Sequence, residues 1–178
     1  ITGTTSGVGL NTLKPLIRAG WDVLAINRSN KRALIESSKI LSDAELDKIE
    51  FLEIDLSDLN MVKNVSNHII EKYGDSIKVI ICNAAVYKPR LKRPERSAQG
   101  FENSMAVNHL GHFLLINLLL EKMLSSNFNI TIKGKPSRFV PRITILGTVT
   151  ANYKELGGKI PIPAPADLGD LSGMEKGF

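Results

Sequence analysis

The sequence predicts an α/β fold, a doubly wound parallel sheet with helices on both of its faces. Short apolar runs alternate with amphipathic stretches along most of the chain, which is typical of successive βα units. The run 77–82 is apolar at nearly every position, as a strand covered on both faces should be. A glycine-rich segment at 2–9 follows the first strand and opens a helix, as in nucleotide-binding folds.

Apolar periodicity and turn residues place the elements in the order β-α-β-α-β-α-β-α-β. Strands are expected at 1–2, 21–27, 49–54, 77–82 and 142–146. Helices are expected at 9–19, 32–41, 42–50, 59–73 and 100–124, the last apolar on most of its surface. Residues 125–138 are expected to be a polar connection. We expect one domain, residues 1–178, in which the second half of the fold stops after the fifth strand.

Composition narrows the classes of partner. The formal net charge of +5 permits contact with an anionic cofactor or membrane surface and does not by itself indicate nucleic acid. Five basic residues lie in Lys88–Arg96, a segment that a solvated loop also explains. No apolar run approaches the roughly 20 residues that span a bilayer. The single cysteine, Cys82, excludes an internal disulfide and suits a reducing compartment.

The strongest local feature is the glycine-rich turn TGTTSGVG at residues 2–9. Its glycines allow a tight turn and a close approach of the backbone to a pyrophosphate, which the N-terminus of the following helix favours. A purely structural turn is the alternative. The residues expected to contact the cofactor here are Gly3, Thr5, Ser6, Gly7, Val8 and Gly9.

The end of the second strand indicates which dinucleotide is bound. NAD-selective folds place a carboxylate near this point to hold the ribose 2′-hydroxyl. Here the strand ends at Asn27, and the cations Arg28, Lys31 and Arg32 follow. A guanidinium favours a 2′-phosphate, so Arg28 and Arg32 predict NADPH. Ordinary surface arginines are the alternative.

Two further strand ends carry candidate cofactor contacts. Asp55 and Leu56 follow the third strand, where a carboxylate can accept the exocyclic amine of adenine. Alternatively, Asp55 caps the next helix. After the fourth strand, the small residues of Asn83, Ala84 and Ala85 let the chain pass against the cofactor ribose, and the Asn83 amide can tie neighbouring strands together.

These features, in this order and with Asn108 in the long helix, resemble the short-chain dehydrogenase/reductase family, which has a Rossmann-like three-layer fold. Four segments more closely resemble one branch of it, the light-dependent protochlorophyllide reductases in their cyanobacterial form. They are CNAAVY at 82–87, NHLGHFLL at 108–115, ILGTVTAN at 145–152, and ELGGKIP at 155–161 running on to ADLGDL at 166–171. The resemblance covers nearly the whole chain.

The resemblance implies that the C17=C18 double bond of protochlorophyllide is reduced to give chlorophyllide, with NADPH as hydride donor and light as the driving force. It implies catalytic roles for Asn108 and for Thr148, with Thr150 as the nearby alternative. The family also uses a Tyr and a Lys in a YxxxK pattern, and none occurs in these residues. The pair is expected beyond Phe178, so we expect the 178-residue chain alone to be inactive.

The substrate side is less sharply defined. Tyr87, Thr148 and Asn152 are expected to face the pigment, although Tyr87 packing under a loop is equally consistent with the sequence. Tyr153–Phe178 has five glycines and three prolines in 26 residues and is a candidate lid, or else a flexible surface loop. Cys82 is best explained as a small buried residue. His109 and His112 are expected to pack on the helix, and no metal site is expected.

Two other functions stay open. One is a reductase of the same fold acting on retinoid- or steroid-like carbonyls, and the other is a non-catalytic NADP(H)-binding redox regulator. The resemblance implies self-association and peripheral association with a photosynthetic membrane. The expected location is the cytoplasm or the thylakoid surface of a cyanobacterium, or the plastid of a eukaryote. No nucleic-acid partner is expected.

Overall fold

The computed structural model describes residues 1–88, 93–125, 129–132 and 135–147. The helices are α1 Gly7–Arg18, α2 Asn30–Ser38, α3 Asp43–Leu46, α4 Leu59–Tyr73, α5 Asn103–Met105 and α6 His112–Ser125. A 3₁₀ turn, Gly74–Ser76, follows α4, and a π-helical segment, Ala106–Gly111, joins α5 to α6. The strands are β1 Val23–Asn27, β2 Ile49–Glu53, β3 Val79–Cys82, β4 Asn129–Ile132, β5 Lys135–Arg138 and β6 Arg142–Ile145. The predicted alternation of strands and helices is confirmed, with ends shifted by a few residues.

The strands that carry the fold are parallel, as the sequence predicts. In β1 and β2, Val23 lies opposite Ile49, and in β3 and β6, Val79 lies opposite Arg142. Residues 1–3 join the two pairs, because the Gly3 amide donates to the Ile26 carbonyl and the Thr2 amide donates to the Ile81 carbonyl. The predicted first strand therefore lies between β1 and β3.

Helices cover both faces of β1, because side chains alternate across a strand. Val23 and Ala25 of β1 pack on one face with Leu13 and Ile17 of α1. Ile26, on the other face of β1, belongs to a second apolar cluster that α4 and α6 complete. The carboxyl end of β1 is therefore held between two packed layers, at the edge where α/β folds bind ligands. Strand β6 is exposed at all four positions.

The expectation of a polar connection at 125–138 is wrong. Strands β4 and β5 form an antiparallel pair in this stretch, with Asn129 opposite Arg138 and Ile132 opposite Lys135. The β-branched residues in 130–132 favour an extended backbone. The polar residues around them obscured that signal in the sequence.

The predicted helix at 100–124 begins later and is not uniform. Gly100 has φ +85° and lies in a turn, so it is outside the helix. The Glu102 carboxylate caps the first turn by accepting from the amides of Ser104 and Met105, at 2.9 and 2.8 Å. The backbone then passes through the π-helical segment before α6. Such segments are rare and often occur at functional sites.

Candidate functional site

The glycine-rich turn, residues 2–9, forms a cradle at the carboxyl edge of the parallel strands. Gly3 and Gly7 have φ of +73° and +56°, a region that favours glycine. A Cβ on Gly3 would lie 2.7 Å from the Ala84 Cα, and one on Gly9 would lie 2.1 Å from the Gly3 carbonyl oxygen. Backbone surrounds these two positions so tightly that only glycine fits.

The N-terminus of α1 opens from this cradle and is not capped from within. Ser6 is the N-cap residue, yet its side chain accepts no capping hydrogen bond, and the first turn holds no acidic residue. Ser6, Gly7 and Val8 are exposed, Val8 at 64 %. The free amide groups of a helix start carry a partial positive charge. The arrangement suits a phosphate group.

Asn27 fixes the shape of the cradle, a role that the sequence interpretation missed. Its Oδ1 accepts from the Thr4 amide at 2.7 Å, and its Nδ2 donates to the Thr4 hydroxyl at 2.8 Å. Both residues are buried. The signal was a polar residue ending an otherwise apolar strand, where an unpaired amide would be costly.

Asn83 and Thr2 tie the cradle to the end of β3. The Asn83 side-chain amide donates to the carbonyls of Thr2 and Gly3, each at 2.9 Å. In return, the Thr2 hydroxyl accepts from the backbone amides of Asn83 and Ala84, each at 2.9 Å. The expected tie between neighbouring strands is therefore present. Ala84 is half-buried and Ala85 is exposed beside it.

Asp55 does not cap α4, so that alternative is wrong. Its Oδ1 accepts from the amide and hydroxyl of Ser57, at 2.9 and 2.7 Å. Asp58 is the N-cap of α4, because its carboxylate lies nearer the helix start and accepts from the amides of Asn60 and Met61. Hydrogen bonds hold the pKa of Asp58 below its usual value, and the bond from the Gln99 side chain contributes more than the bond from the Asn60 amide.

Leu56, the other candidate at this strand end, is buried and touches the π-helical segment. A Cβ on Gly111 would lie 2.3 Å from the Leu56 carbonyl oxygen. Glycine at 111 therefore lets the helix approach the backbone after β2. This contact was also missed, although the glycine inside an apolar helix was its signal in the sequence.

The two candidate 2′-phosphate residues are both exposed. Arg28 follows Asn27, whose side chain holds Thr4, so Arg28 begins beside the turn. Arg32 lies in the first turn of α2, and its amide donates to the Ser29 hydroxyl at 3.4 Å. The first turn of α2 holds no acidic residue.

Asn108, the candidate catalytic residue, lies in the π-helical segment, and its side chain forms two hydrogen bonds with the chain after β3. Its Oδ1 accepts from the Val86 amide at 2.7 Å, and its Nδ2 donates to the Val86 carbonyl at 2.9 Å. Tyr87, the next residue, is 82 % exposed. The alternative that Tyr87 packs under a loop is therefore wrong.

Cys82 and His112 are buried as expected, whereas the expected packing of His109 is wrong, because its side chain is exposed. Cys82 is buried, and burial raises the pKa of its thiol to about 11, so the thiol is protonated at neutral pH. His112 is buried and contacts the Thr2 hydroxyl, whereas His109 is exposed and its ring lies 6.0 Å from that of Phe113. Among the described residues, no group of His, Cys, Asp or Glu is arranged to hold a metal ion.

Three predictions lie outside the described residues. They are the catalytic role of Thr148 with its alternative Thr150, the substrate contact of Asn152, and the lid at Tyr153–Phe178. Of the predicted contacts that can be placed, the structure brings together those of the cradle, of Asn83 and Ala84, and of Asn108. In the described part of the chain, no helix is long and apolar enough to cross a membrane.

The family profile "short chain dehydrogenase" matches residues 1–132. The chain is 39 % identical to the chloroplastic protochlorophyllide reductase of Chlamydomonas reinhardtii, over 99 % of this chain and 41 % of that protein. It is 38 % identical to the chloroplastic protochlorophyllide reductase B of Oryza sativa subsp. japonica, over 100 % of this chain and 41 % of the relative. The chain thus spans about two fifths of the length of these relatives.

Solved structures share the architecture. A bulky-bulky ketone specific alcohol dehydrogenase from Comamonas testosteroni aligns with a TM-score of 0.61 at 21 % identity, covering 89 % of this chain and 59 % of the other. At that identity the likeness concerns the fold alone. An uncharacterized protein from Mycobacterium paratuberculosis aligns with a TM-score of 0.56 at 30 % identity, over 68 % of this chain and 40 % of its own.

Proposed function

The chain belongs to the short-chain dehydrogenase family, and we propose that it forms the NADPH-binding part of a light-dependent protochlorophyllide reductase. The reaction is the reduction of the C17=C18 double bond of the pigment, in which one carbon receives a hydride and the other a proton. The observation that carries the proposal is the 37–39 % identity to chloroplastic protochlorophyllide reductases along essentially this whole chain.

The geometry of the cradle supports the choice of a dinucleotide. Gly3 and Gly9 let the turn pack tightly against Ala84 and Asn83, and the uncapped start of α1 offers amide donors to a pyrophosphate. When bound, NADPH supplies the hydride. The residues proposed to hold it are those of the cradle together with Asp55, Leu56, Asn83, Ala84 and Ala85.

Selection of the phosphorylated cofactor is assigned to Arg28 and Arg32. Both guanidinium groups are exposed, and no acidic residue occurs in the sequence between β1 and the end of the first turn of α2. A guanidinium pairs with a phosphate in a forked geometry that a 2′-hydroxyl does not match. The proposed preference is therefore NADPH over NADH.

The pigment is proposed to meet the cofactor beside the chain that follows β3. Tyr87 is exposed there, and Asn108 fixes the backbone of the preceding residue, so the segment has a defined position. Thr148 and Asn152 remain proposed pigment contacts, and Tyr153–Phe178 a proposed lid that would exclude water. Membrane association, self-association and a plastid or thylakoid location are proposals from the relatives.

The test uses the product of the complete gene. Titration of nicotinamide fluorescence should give a dissociation constant for NADPH at least about tenfold lower than for NADH, since a charge-assisted phosphate contact is worth about 1.5–3 kcal/mol. With NADPH and protochlorophyllide bound, a light flash should convert the pigment absorbance to that of chlorophyllide. The same mixture kept in the dark is the control.

The outcomes separate the competing functions. NADPH binding without pigment conversion, combined with reduction of a retinoid- or steroid-like ketone in the dark, would replace the proposal by a carbonyl reductase. NADPH binding with neither reaction would favour a regulator. A preference for NADH would overturn the assignment of Arg28 and Arg32.

A further inference from the structure

One buried titratable group, His112, lies between the glycine-rich cradle and the π-helical segment that carries Asn108. His112, the first residue of α6, is only 5 % exposed. One edge of its ring faces the cradle at Thr2, and the other faces the carbonyl of Asn108 in the π-helical segment. Packing alone would be satisfied by an apolar side chain at this position, so the polar contacts require an explanation.

The hydrogen bonds of the Thr2 hydroxyl define the state of this imidazole. A hydroxyl has two acceptor positions and one donor. The Thr2 hydroxyl accepts from the amides of Asn83 and Ala84. Its one proton is then directed at the His112 Nε2, 2.8 Å away. Nε2 must accept, so the ring is neutral and carries its hydrogen on Nδ1.

The hydrogen on Nδ1 points to the helix that carries Asn108. Nδ1 lies 3.5 Å from the Asn108 backbone carbonyl. The Asn108 side chain in turn holds both backbone groups of Val86. The imidazole therefore connects the cofactor cradle, through Thr2, to the helical turn that positions the chain beside the pigment.

We propose that His112 is a positioning residue that holds the cofactor cradle and the Asn108 turn in a fixed relation through its two ring nitrogens. The inference rests on the proposed function for its catalytic consequence. Nε2 supports the cradle, and Nδ1 supports the Asn108 turn. The two nitrogens therefore have separable effects, which a side chain that merely fills space would not have.

Two conservative substitutions each retain the hydrogen bond of one ring nitrogen and remove that of the other. In His112→Asn, the short amide can donate to the carbonyl four residues earlier, as Asn117 does to Phe113 at 2.7 Å and Asn11 to Gly7 at 2.8 Å. It does not reach Thr2. In His112→Gln, the longer side chain places its amide oxygen near the former Nε2, where it can accept from Thr2, and the contact with Asn108 is lost.

The experiment measures three quantities in the complete gene product. NADPH affinity should fall about tenfold in His112→Asn and change little in His112→Gln, since one hydrogen bond is worth about that factor. The light-driven rate at saturating NADPH and pigment should fall in His112→Gln and change less in His112→Asn. Amide hydrogen exchange at Ala84, measured without any ligand, should be faster in His112→Asn only.

Parallel changes in both variants would overturn the proposal, because they would show that His112 acts through general stability. Unchanged affinity and exchange in His112→Asn would also overturn it. If the protein fails to convert pigment, the proposed function falls, while the affinity and exchange measurements still decide the role of His112. Melting temperatures of both variants identify any loss of fold.

Discussion

Two sets of residues around the cradle differ in whether their side chains form hydrogen bonds within the protein. The first, here termed the bonded frame, consists of Thr2, Thr4, Asn27, Asn83 and His112, and their side chains bond within the protein. The second, the exposed rim, consists of Ser6, Gly7, Val8, Arg28 and Tyr87, and all of these are exposed. Within the described residues, the side chains of the rim have no hydrogen-bond or ion-pair partner.

The difference separates the residues that fix the shape of the cradle from those that can contact a ligand. Polar groups in the frame replace water with protein partners, and losing one partner leaves the other buried and unpaired, at a cost of about 1–3 kcal/mol. Rim groups keep their water until a ligand displaces it. Substitutions in the frame should therefore change both stability and binding. Substitutions in the rim should change binding alone, except at Gly7, whose positive φ makes a side chain costly.

The largest effect on stability and binding is expected at Gly9, which packs against Asn83 of the frame. Gly9→Ala puts a Cβ 2.1 Å from the Gly3 carbonyl oxygen and 2.4 Å from the Asn83 Nδ2, so backbone must shift. Overpacking of this kind costs about 3 kcal/mol. In a domain of this size that lowers the melting temperature by roughly 6–12 °C. NADPH affinity should fall by more than about tenfold, and both changes can be measured by thermal melts and fluorescence titration.

Gly20→Ala is the matched control for this substitution. Gly20 also has a positive φ, +88°, but nothing lies within 4 Å of its added Cβ. It should show only the backbone cost of about 1–2 kcal/mol and unchanged NADPH affinity. Equal losses of affinity in both variants would contradict the assignment of the cradle.

An intermediate effect, confined to binding, is expected in the rim. Arg28→Ala should weaken NADPH binding by about tenfold or more, because a charge-assisted bond to the 2′-phosphate is lost. NADH binding and the melting temperature should stay unchanged, since Arg28 is exposed. Lys63→Ala, which removes an exposed charge on α4, controls for net charge. Equal weakening of NADH and NADPH would show that Arg28 does not read the 2′-phosphate.

The smallest effect is a pH dependence of the frame. Burial lowers the pKa of His112 from its usual value of 6.5, despite the opposing bond to the Asn108 carbonyl. Between that value and the folded pKa, the unfolded chain binds more protons, so the free energy of unfolding falls as the pH falls. The contribution is complete above pH 6.5 and is lost as the pH drops through the folded pKa.

Denaturant unfolding at several pH values between about 7.5 and 5 checks this sign. The wild-type protein should lose more stability on acidification than His112→Gln, in which no group titrates at that position. His68 and His109 are present in both proteins and cancel in the difference. Identical pH profiles would mean that His112 is not held neutral.

Sequence patterns predicted the fold and the glycine-rich turn well because both are local. Helix α4 was expected at its observed bounds, since its apolar spacing and the preceding Asp58 are contiguous signals. The hairpin of β4 and β5 was missed because polar residues surround the few β-branched residues of this stretch, so the sequence shows no clear strand pattern. The role of Asp58 as the cap of α4, in place of Asp55, depended on a three-residue offset, and the backbone geometry decided between the two carboxylates.

The order of residues by itself determined the parallel α/β pattern, the need for glycine in the turn, and the cations after β1. These depend on periodicity and on residue type at neighbouring positions. Only the tertiary structure showed that Thr2 and His112, 110 residues apart, share a hydrogen bond, and that Asn27 holds Thr4. A hydrogen bond acts over about 3 Å, so its partners are defined by how distant segments pack.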